Sequence, residues 1–190
     1  MTTKIEPLMT IADWEAMPDD GNRYEIIEGE LFVSCSPGLT HQIVLGNIVF
    51  LIRTYLEQNP IGTVVFTPGL ILSEYSGVIP DLVVFSHECA SKIISGERLT
   101  GPPDLVVEIL SPGSENTRRN RVAKLQLYTR HRVPEYWIVD PAAQVLDIYR
   151  LQGTSLELAV TLRNDDDLVT PILPDFSSTT SKVFKLPYKS

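Results

Sequence analysis

Hydrophobic and polar positions follow two different periods in the first third of the chain. Residues 24–34 form two extended runs that pivot on Glu28 and Gly29, which predicts a β-hairpin. Over residues 41–58 apolar side chains recur at helical spacing, which predicts an amphipathic helix with Thr40 as its N-cap. We therefore expect a hairpin followed by a long helix.

Three runs rich in Val, Ile and Leu come after this helix, each bounded by Gly or Pro. They predict strands at residues 63–72, 78–85 and 104–110. The first two strands are separated only by the short segment 73–77, which favours antiparallel pairing between them.

A second helix is predicted over residues 115–131, with Ser114 as its cap, followed by a strand at residues 135–139. A helix between two strands of one sheet favours a right-handed parallel crossover. Residues 145–151 and 156–162 predict a further hairpin, and the turn-rich tail after Pro171 predicts no element. The order helix, strand, strand, strand, helix, strand predicts an α/β fold with a mixed α+β sheet flanked by helices.

Length and composition restrict the class of protein. A chain of 190 residues fits one domain, predicted here to span residues 1–190 with its core at about residues 38–140. A hydrophobic content of 43% excludes a disordered chain, and Cys35 and Cys89 are too far apart for a CxxC motif. No apolar run has the length of a membrane span and no apolar signal core is found, so we expect a cytoplasmic protein with no membrane partner.

The charge distribution is uneven. The net charge of −8 argues against a protein that mainly binds phosphates, yet residues 118–132 hold six of the sixteen basic residues and no acid. Such a run is compatible with a solvated helix face or with contacts to a nucleic-acid backbone. Arg118, Arg119 and Arg121 are the nucleic-acid-binding candidates.

Two carboxylates interrupt apolar strands. Asp81 and Asp104 each open a strand, where a carboxylate can remain solvated. Glu108 instead lies within the apolar run 104–110, where a charge is unfavourable unless it is paired or bound to a metal. A structural ion pair is one interpretation of Glu108, and we favour a functional carboxylate.

The helical phase of residues 115–131 directs Lys124 towards the sheet, away from the polar face of that helix. Snorkelling along apolar neighbours is the alternative interpretation. Two acids and a lysine are the minimal set for metal-assisted phosphodiester hydrolysis, in which carboxylates hold Mg²⁺ and the lysine stabilises charge near the nucleophile.

Several segments together resemble one known family. They are RYEIIEGEL, a helix that begins near His41, PDLVVF, PDLVVEILSPGS, Lys124 with Tyr128 four residues later, and VPEYWIVDP. This combination, over about residues 9–151, resembles the Uma-two family of putative restriction endonucleases, which is assigned to the PD-(D/E)XK nuclease superfamily. The resemblance implies a restriction-endonuclease-like core of helix, three strands, helix and strand, which matches the order predicted above, with an N-terminal hairpin and additional C-terminal strands.

The resemblance also implies roles for individual residues. Asp81 and Glu108 would be metal ligands, together with the backbone carbonyl of Ile109. The superfamily lysine would stand at position 110, where this chain has Leu110. Lys124 matches the position to which the family moves that lysine, so Asp81, Glu108 and Lys124 form the implied catalytic set.

Three accessory residues have less defined roles. Glu25 either lies near the site or faces solvent from the hairpin, and His41 has a structural explanation at the start of the first helix. Asn120 stands where relatives are expected to carry an acid, one turn before Lys124, which would weaken or alter the activity.

The leading hypothesis is a Mg²⁺-dependent endonuclease, with Mn²⁺ as a possible substitute, that acts on duplex DNA as a homodimer. The alternative is a non-catalytic interaction or regulatory module with a nuclease fold. Net acidity, Asn120 and the lack of a sequence-reading motif support that alternative.

Overall fold

The computed structural model describes residues 8–111 and 119–188, except for the side chains of Arg119 and Asn120. The helices are α1 (Ile11–Glu15), α2 (Leu39–Gln58), α3 (His87–Ile93), a π-helical turn (Arg119–Lys124) that continues as α4 (Leu125–Arg130), and α5 (Thr180–Val183). The strands are β1 (Arg23–Ile27), β2 (Glu30–Ser34), β3 (Gly62–Phe66), β4 (Leu70–Ser73), β5 (Ser76–Val78), β6 (Leu82–Ser86), β7 (Ile94–Ser95), β8 (Arg98–Thr100), β9 (Leu105–Ile109), β10 (Glu135–Asp140), β11 (Val145–Gln152), β12 (Ser155–Arg163), β13 (Asp167–Leu168) and β14 (Ser178–Thr179).

A large mixed sheet carries most of the predicted strands. Its order is β12-β11-β10-β9-β6-β3. β10 runs parallel to β9, with Ile138 beside Glu108, and the other neighbouring pairs are antiparallel. The predicted parallel crossover and the predicted C-terminal hairpin are therefore both confirmed.

The two strands predicted after α2 are each divided between two sheets. Residues 63–72 break at Thr67, which has φ of 50°, and at Pro68, so that β3 joins the large sheet and β4 a smaller one. Pro80 similarly separates β5 from β6. Antiparallel pairing, as predicted, holds in both halves: β3 pairs with β6 and β4 with β5.

The smaller sheet, with the order β2-β1-β5-β4-β8-β7, brings the N-terminal hairpin against the core. α2 packs on one face of the large sheet, where Val107 and Ile109 of β9 lie. α4 and the smaller sheet cover the opposite face, where Val106 and Leu110 are buried. Because side chains alternate along a strand, Glu108 shares the face of Val106 and points towards α4.

The ends of the predicted helices differ from expectation. α2 begins at Leu39 with Gly38 as its N-cap, and the Thr40 hydroxyl instead hydrogen-bonds Tyr188. By length and composition α2 could cross a membrane, but its most buried side chains pack on the large sheet as a core helix does. Ser114 and the predicted start of the second helix lie outside the described residues.

The C-terminal tail also forms structure that its turn-rich sequence did not predict. β13 and β14 pair with each other, and α5 packs against α2. Phe176, Val183 and Phe184 complete the core beneath α2. These side chains are buried only because distant elements meet, which no local pattern specifies.

Candidate active site

Asp81 lies in the short connection before β6 and is 1% exposed, although the sequence suggested that a strand-opening carboxylate could remain solvated. Its Oδ1 accepts a hydrogen bond from Arg23, at 3.1 Å. Its Oδ2 accepts from the backbone N–H of Ile109 at 2.8 Å and lies 3.1 Å from Nε2 of His41. Burial by itself raises the pKa of Asp81, but the bonds from His41, Ile109 and Arg23 hold it below its usual value.

Glu108 is 2% exposed and binds two side chains from the helix that follows β9. Its Oε1 accepts hydrogen bonds from Nζ of Lys124 at 2.7 Å and from the Tyr128 hydroxyl at 2.9 Å. Burial raises the pKa of Glu108 to about 7; Lys124 counteracts this shift, while the charges of Asp81 and Glu25 add to it. Glu108 is therefore a buried carboxylate that is easily protonated.

Lys124 is 1% exposed and lies between two carboxylates. Nζ is 2.8 Å from Oε1 of Glu25 and 2.7 Å from Oε1 of Glu108. A snorkelling lysine would carry its ammonium group into solvent, so that interpretation is wrong. The inward direction predicted from the helical phase is confirmed.

The N-terminal hairpin supplies two side chains to this cluster from one face of β1. Oε1 of Glu25 accepts a hydrogen bond from the backbone N–H of Ile79 at 2.8 Å, in addition to its contact with Lys124. Arg23, two residues earlier on the same face, binds Asp81. The hairpin thus joins the segment that carries Asp81 to the helix that carries Lys124.

Register brings the two carboxylates to neighbouring positions. β6 pairs with β9 so that Leu82 lies opposite Val107, and the next position along this register sets Asp81 against Glu108. Of the predicted accessory residues, the structure brings Glu25 and His41 into the cluster. The side chain of Asn120 lies outside the part of the chain that is described.

Sequence reasoning did not single out Arg23 or the hydroxyl of Tyr128 as site groups. Both could have been found from spacing. Arg23 stands one residue before the predicted run 24–34 and at i−2 from Glu25, and Tyr128 stands at i+4 from Lys124 in a predicted helix, so each shares a face with a residue that was singled out.

The donor set fits a hard divalent cation. Asp81 and Glu108 offer carboxylate oxygens, which Mg²⁺ and Mn²⁺ prefer over nitrogen and sulfur ligands. Within residues 8–111 and 119–188, no group of three or more His, Cys, Asp or Glu side chains could hold a metal ion. Mg²⁺ needs only one or two protein carboxylates because it retains several waters, so two carboxylates are compatible with it.

A cavity of about 780 Å³ adjoins this cluster. Its walls include the first turn of α2, the two residues after β9, Leu110 and Ser111, and the turn after Asp140. His41 belongs both to the wall of the cavity and to the hydrogen bonds of Asp81. Solvent and small ligands can therefore approach to within one side chain of Asp81.

Most described cations of the basic run 118–132 are already paired with acids. Nη1 of Arg121 lies 2.8 Å from Oδ2 of Asp147, and Arg130 forms an ion pair with Glu28. Arg118 lies outside the described residues, as does the side chain of Arg119. The excess positive charge that the sequence suggested is therefore reduced at Arg121, Lys124 and Arg130.

The assignment of Arg121 to nucleic-acid binding stays a prediction. The ion pair with Asp147 limits how much Arg121 is expected to contribute to DNA affinity. Because Asp147 already neutralises Arg121, Arg121→Gln should weaken DNA binding less than about twofold. It should also leave the salt dependence of binding nearly unchanged, whereas loss of a free phosphate contact would change the slope of log affinity against log salt by about 0.9. It should lower the free energy of unfolding by about 1 kcal/mol or less, since this pair is partly exposed. Fluorescence anisotropy across a salt series would measure the DNA affinity. A tenfold loss of affinity in Arg121→Gln would show that Arg121 contacts DNA directly.

Comparison with known proteins identifies the family. The model of the Uma2 family, described as "Putative restriction endonuclease", matches residues 11–181. This chain belongs to the Uma2 family. No curated protein matches it significantly.

A solved structure shares the fold of this Uma2 protein. The crystal structure of a putative nuclease belonging to DUF820 from Anabaena variabilis ATCC 29413 is similar with a TM-score of 0.74 and 18% identity, over 93% of this chain and 97% of that one. The type IIG restriction endonuclease BpuSI matches with a TM-score of 0.42 and 15% identity, over 76% of this chain and 15% of that one. The predicted family and the predicted mixed α+β, restriction-endonuclease-like fold are confirmed, and the family is one of nuclease-type hydrolases.

Proposed function

We propose that this Uma2 protein is a Mg²⁺-dependent endonuclease that hydrolyses phosphodiester bonds of duplex DNA, with Mn²⁺ able to replace Mg²⁺. The observation that carries this proposal is the buried cluster of Asp81, just before β6, Glu108 in the neighbouring strand β9 and Lys124 in the helix that follows β9. Burying three ionisable groups side by side is unfavourable even when they are paired, and such perturbed groups concentrate at functional sites, which favours a functional site here.

Asp81, Glu108 and the backbone carbonyl of Ile109 are the residues that would hold the ion. A divalent cation bound there would polarise the phosphate and lower the pKa of the attacking water. His41 and the N–H of Ile109 both bind Oδ2 of Asp81, which fixes the orientation of that carboxylate for a ligand. Glu108 must be ionised to act as a ligand, and Lys124 favours this state.

Lys124 supplies a positive charge that water does not screen. Its ammonium group is fixed by Glu25 and Glu108, so it does not have to reorganise while negative charge develops on the phosphate or the nucleophile. Tyr128 donates to the same oxygen of Glu108 and so limits the positions that this carboxylate can take. These contacts make Glu25 and Tyr128 positioning residues for Lys124 and Glu108.

The alternative function, a non-catalytic interaction or regulatory module, is favoured by one observation. Arg23 and Lys124 both lie in direct contact with carboxylates of the cluster, so Glu25, Asp81 and Glu108 each have a cationic partner without a ligand. A closed network of this kind can stabilise one fold without any chemistry. The two proposals differ in whether a divalent ion binds.

Plasmid nicking tests the proposal directly. The parent protein should nick supercoiled DNA with Mg²⁺ and stop when EDTA is added, because the two carboxylates need the ion. Asp81→Ala should remove this activity and weaken Mn²⁺ binding at least tenfold, because it deletes a ligand oxygen.

Asp104→Ala is a matched control for this test. Asp104 also follows a proline and accepts a hydrogen bond from the backbone N–H of Ser86, but it is not among the residues that contact Asp81 or Glu108. Asp104→Ala should therefore retain metal-dependent nicking. Equal nicking by the parent and by Asp81→Ala, or none by the parent, would favour the non-catalytic alternative.

The proposal also covers assembly and location. We expect a homodimer, since one active site per strand allows both strands of a duplex to be cut, and a cytoplasmic protein with access to DNA. Light scattering of the purified protein would measure the oligomeric state, and a monomer at micromolar concentration would contradict the dimer.

A further inference from the structure

We infer that Arg23 is a catalytic residue that binds the phosphodiester. Its guanidinium binds Oδ1 of Asp81; it would yield this oxygen to a divalent ion and turn to the substrate phosphate. This inference rests on the proposed nuclease function and deepens it, because it names the group that contacts the phosphate.

The two oxygens of Asp81 are held by different kinds of partner. Oδ2 is bound by the backbone N–H of Ile109, which cannot leave without disturbing β9, and by His41, whose side chain is 5% exposed. Oδ1 is bound by Arg23, whose side chain is 21% exposed and ends a long flexible stem. Oδ1 is therefore the oxygen that an incoming cation can take, and Arg23 is the partner that can be displaced.

Charge balance favours the same exchange. The described cluster contains the carboxylates of Glu25, Asp81 and Glu108 and the cations Arg23 and Lys124. A divalent ion at Asp81 would compete with Arg23 for the same negative charge and leave the guanidinium without its carboxylate. A phosphodiester adjacent to the ion brings the negative charge that this guanidinium then lacks.

Arg23 is better suited than Lys124 to reach a phosphate. Lys124 is fully buried between two carboxylates, whereas the side chain of Arg23 is 21% exposed. Among the described residues, its one hydrogen-bond partner is Asp81, so most of its five N–H donors remain available. The planar guanidinium matches two phosphate oxygens at once, which an ammonium group cannot do.

The backbone of Arg23 is fixed, so the exchange requires only a side-chain rotation. Arg23 pairs with Ser34 across the hairpin, and Glu25 on the same strand face is anchored to Ile79 and Lys124. The opposing interpretation is that Arg23 only orients Asp81. If Arg23 only orients Asp81, removing its side chain should weaken metal binding. If Arg23 competes with the metal for Asp81, removing its side chain should strengthen metal binding.

Arg23→Met separates these interpretations through two measurements. Mn²⁺ affinity, measured without DNA by titration calorimetry or electron paramagnetic resonance, should be severalfold tighter than in the parent. The kcat for plasmid cleavage at saturating Mg²⁺ should fall about 100-fold, the range for loss of one preorganised donor. Arg53→Met is the matched control, since Arg53 forms an exposed ion pair with Glu57 on α2, and both quantities should keep their parent values.

Arg23→Lys provides a second variant that retains the charge and removes the planar fork. Its kcat should lie between those of the parent and of Arg23→Met, with Mn²⁺ affinity near that of the parent. Weaker or unchanged Mn²⁺ binding in Arg23→Met, or an unchanged kcat while the parent cleaves, overturns the inference and leaves the nuclease function intact. A parent that neither binds Mn²⁺ nor cleaves DNA overturns the proposed function and this inference together.

Discussion

Replacing Lys124 with Met is expected to slow DNA cleavage at least 100-fold and to lower the free energy of unfolding by about 3–5 kcal/mol. Met retains most of the aliphatic stem and its packing, so the effect comes from the lost charge. Glu25 and Glu108 would then lie near the same position in a buried site without the cation between them. Removing one partner of a buried ion pair leaves the other charges uncompensated.

The pH dependence of stability in Lys124→Met should show whether the uncompensated carboxylates cause the loss. The pKa of Glu108 is already raised to about 7, and losing Lys124 removes the group that counteracts this shift. The carboxylate becomes neutral as pH falls, so the loss of stability in Lys124→Met should be largest near pH 8 and shrink towards pH 5. Urea denaturation at several pH values would measure it.

A second substitution tests whether the lost stability of Lys124→Met comes from repulsion between Glu25 and Glu108. Glu25→Gln in the Lys124→Met background removes one of the two remaining charges and should recover part of the stability, without restoring cleavage. A Lys124→Met protein with parent stability and parent kcat would contradict both the structural and the catalytic role of this lysine. Arg130→Met, which deletes an exposed cation six residues later, is the control and should change neither quantity appreciably.

The direction of Lys124 and the burial of Glu108 could be predicted because each follows from a local period. Helical phase fixes which residues of a helix face the sheet, and a continuous apolar run marks a strand that is covered on both faces. The order of the central elements follows for the same reason, since strand and helix patterns here are long enough to be distinguished.

The surroundings of Asp81 could not be predicted in this way. Its partners Arg23, His41 and Ile109 are 58, 40 and 28 residues away in sequence, and they meet it only after the hairpin, α2 and β9 have packed. The sequence therefore suggested a solvated carboxylate where the structure has a buried one. The same limit applies to the strands at residues 63–72 and 78–85, because local propensity does not reveal that a chain passes from one sheet to another.

Replacing Glu108 with Gln should have the opposite effect on stability from replacing Lys124, although the two residues form one ion pair. Glu108→Gln removes a carboxylate that burial disfavours and leaves Lys124 paired with Glu25. We expect this variant to be at least as stable as the parent at neutral pH. Cleavage should fall to background and Mn²⁺ affinity should fall at least tenfold, because an amide is a poor substitute for a ligand carboxylate.

The sign of the pH dependence follows from the raised pKa. In the folded protein the pKa of Glu108 is about 7, compared with 4.5 for an ordinary glutamate, so ionising it in the folded state is unfavourable. Below about pH 4.5 the group is neutral in both states and has no effect; between pH 4.5 and 7 the parent progressively loses stability from this group. The stability of Glu108→Gln relative to the parent should therefore increase with pH, by up to about 3 kcal/mol at pH 8.

Urea denaturation of the parent and Glu108→Gln from pH 5 to 8 would measure this difference. Glu97→Gln makes the same chemical change at an exposed position, and its curve should run parallel to that of the parent. Tyr128→Phe removes a hydrogen bond to Oε1 of Glu108 without changing the charge, so its loss of about 1 kcal/mol should vary much less with pH. If the stability of Glu108→Gln also follows that of the parent at every pH, Glu108 does not have a raised pKa in the folded protein. Its burial is then balanced by Lys124 alone.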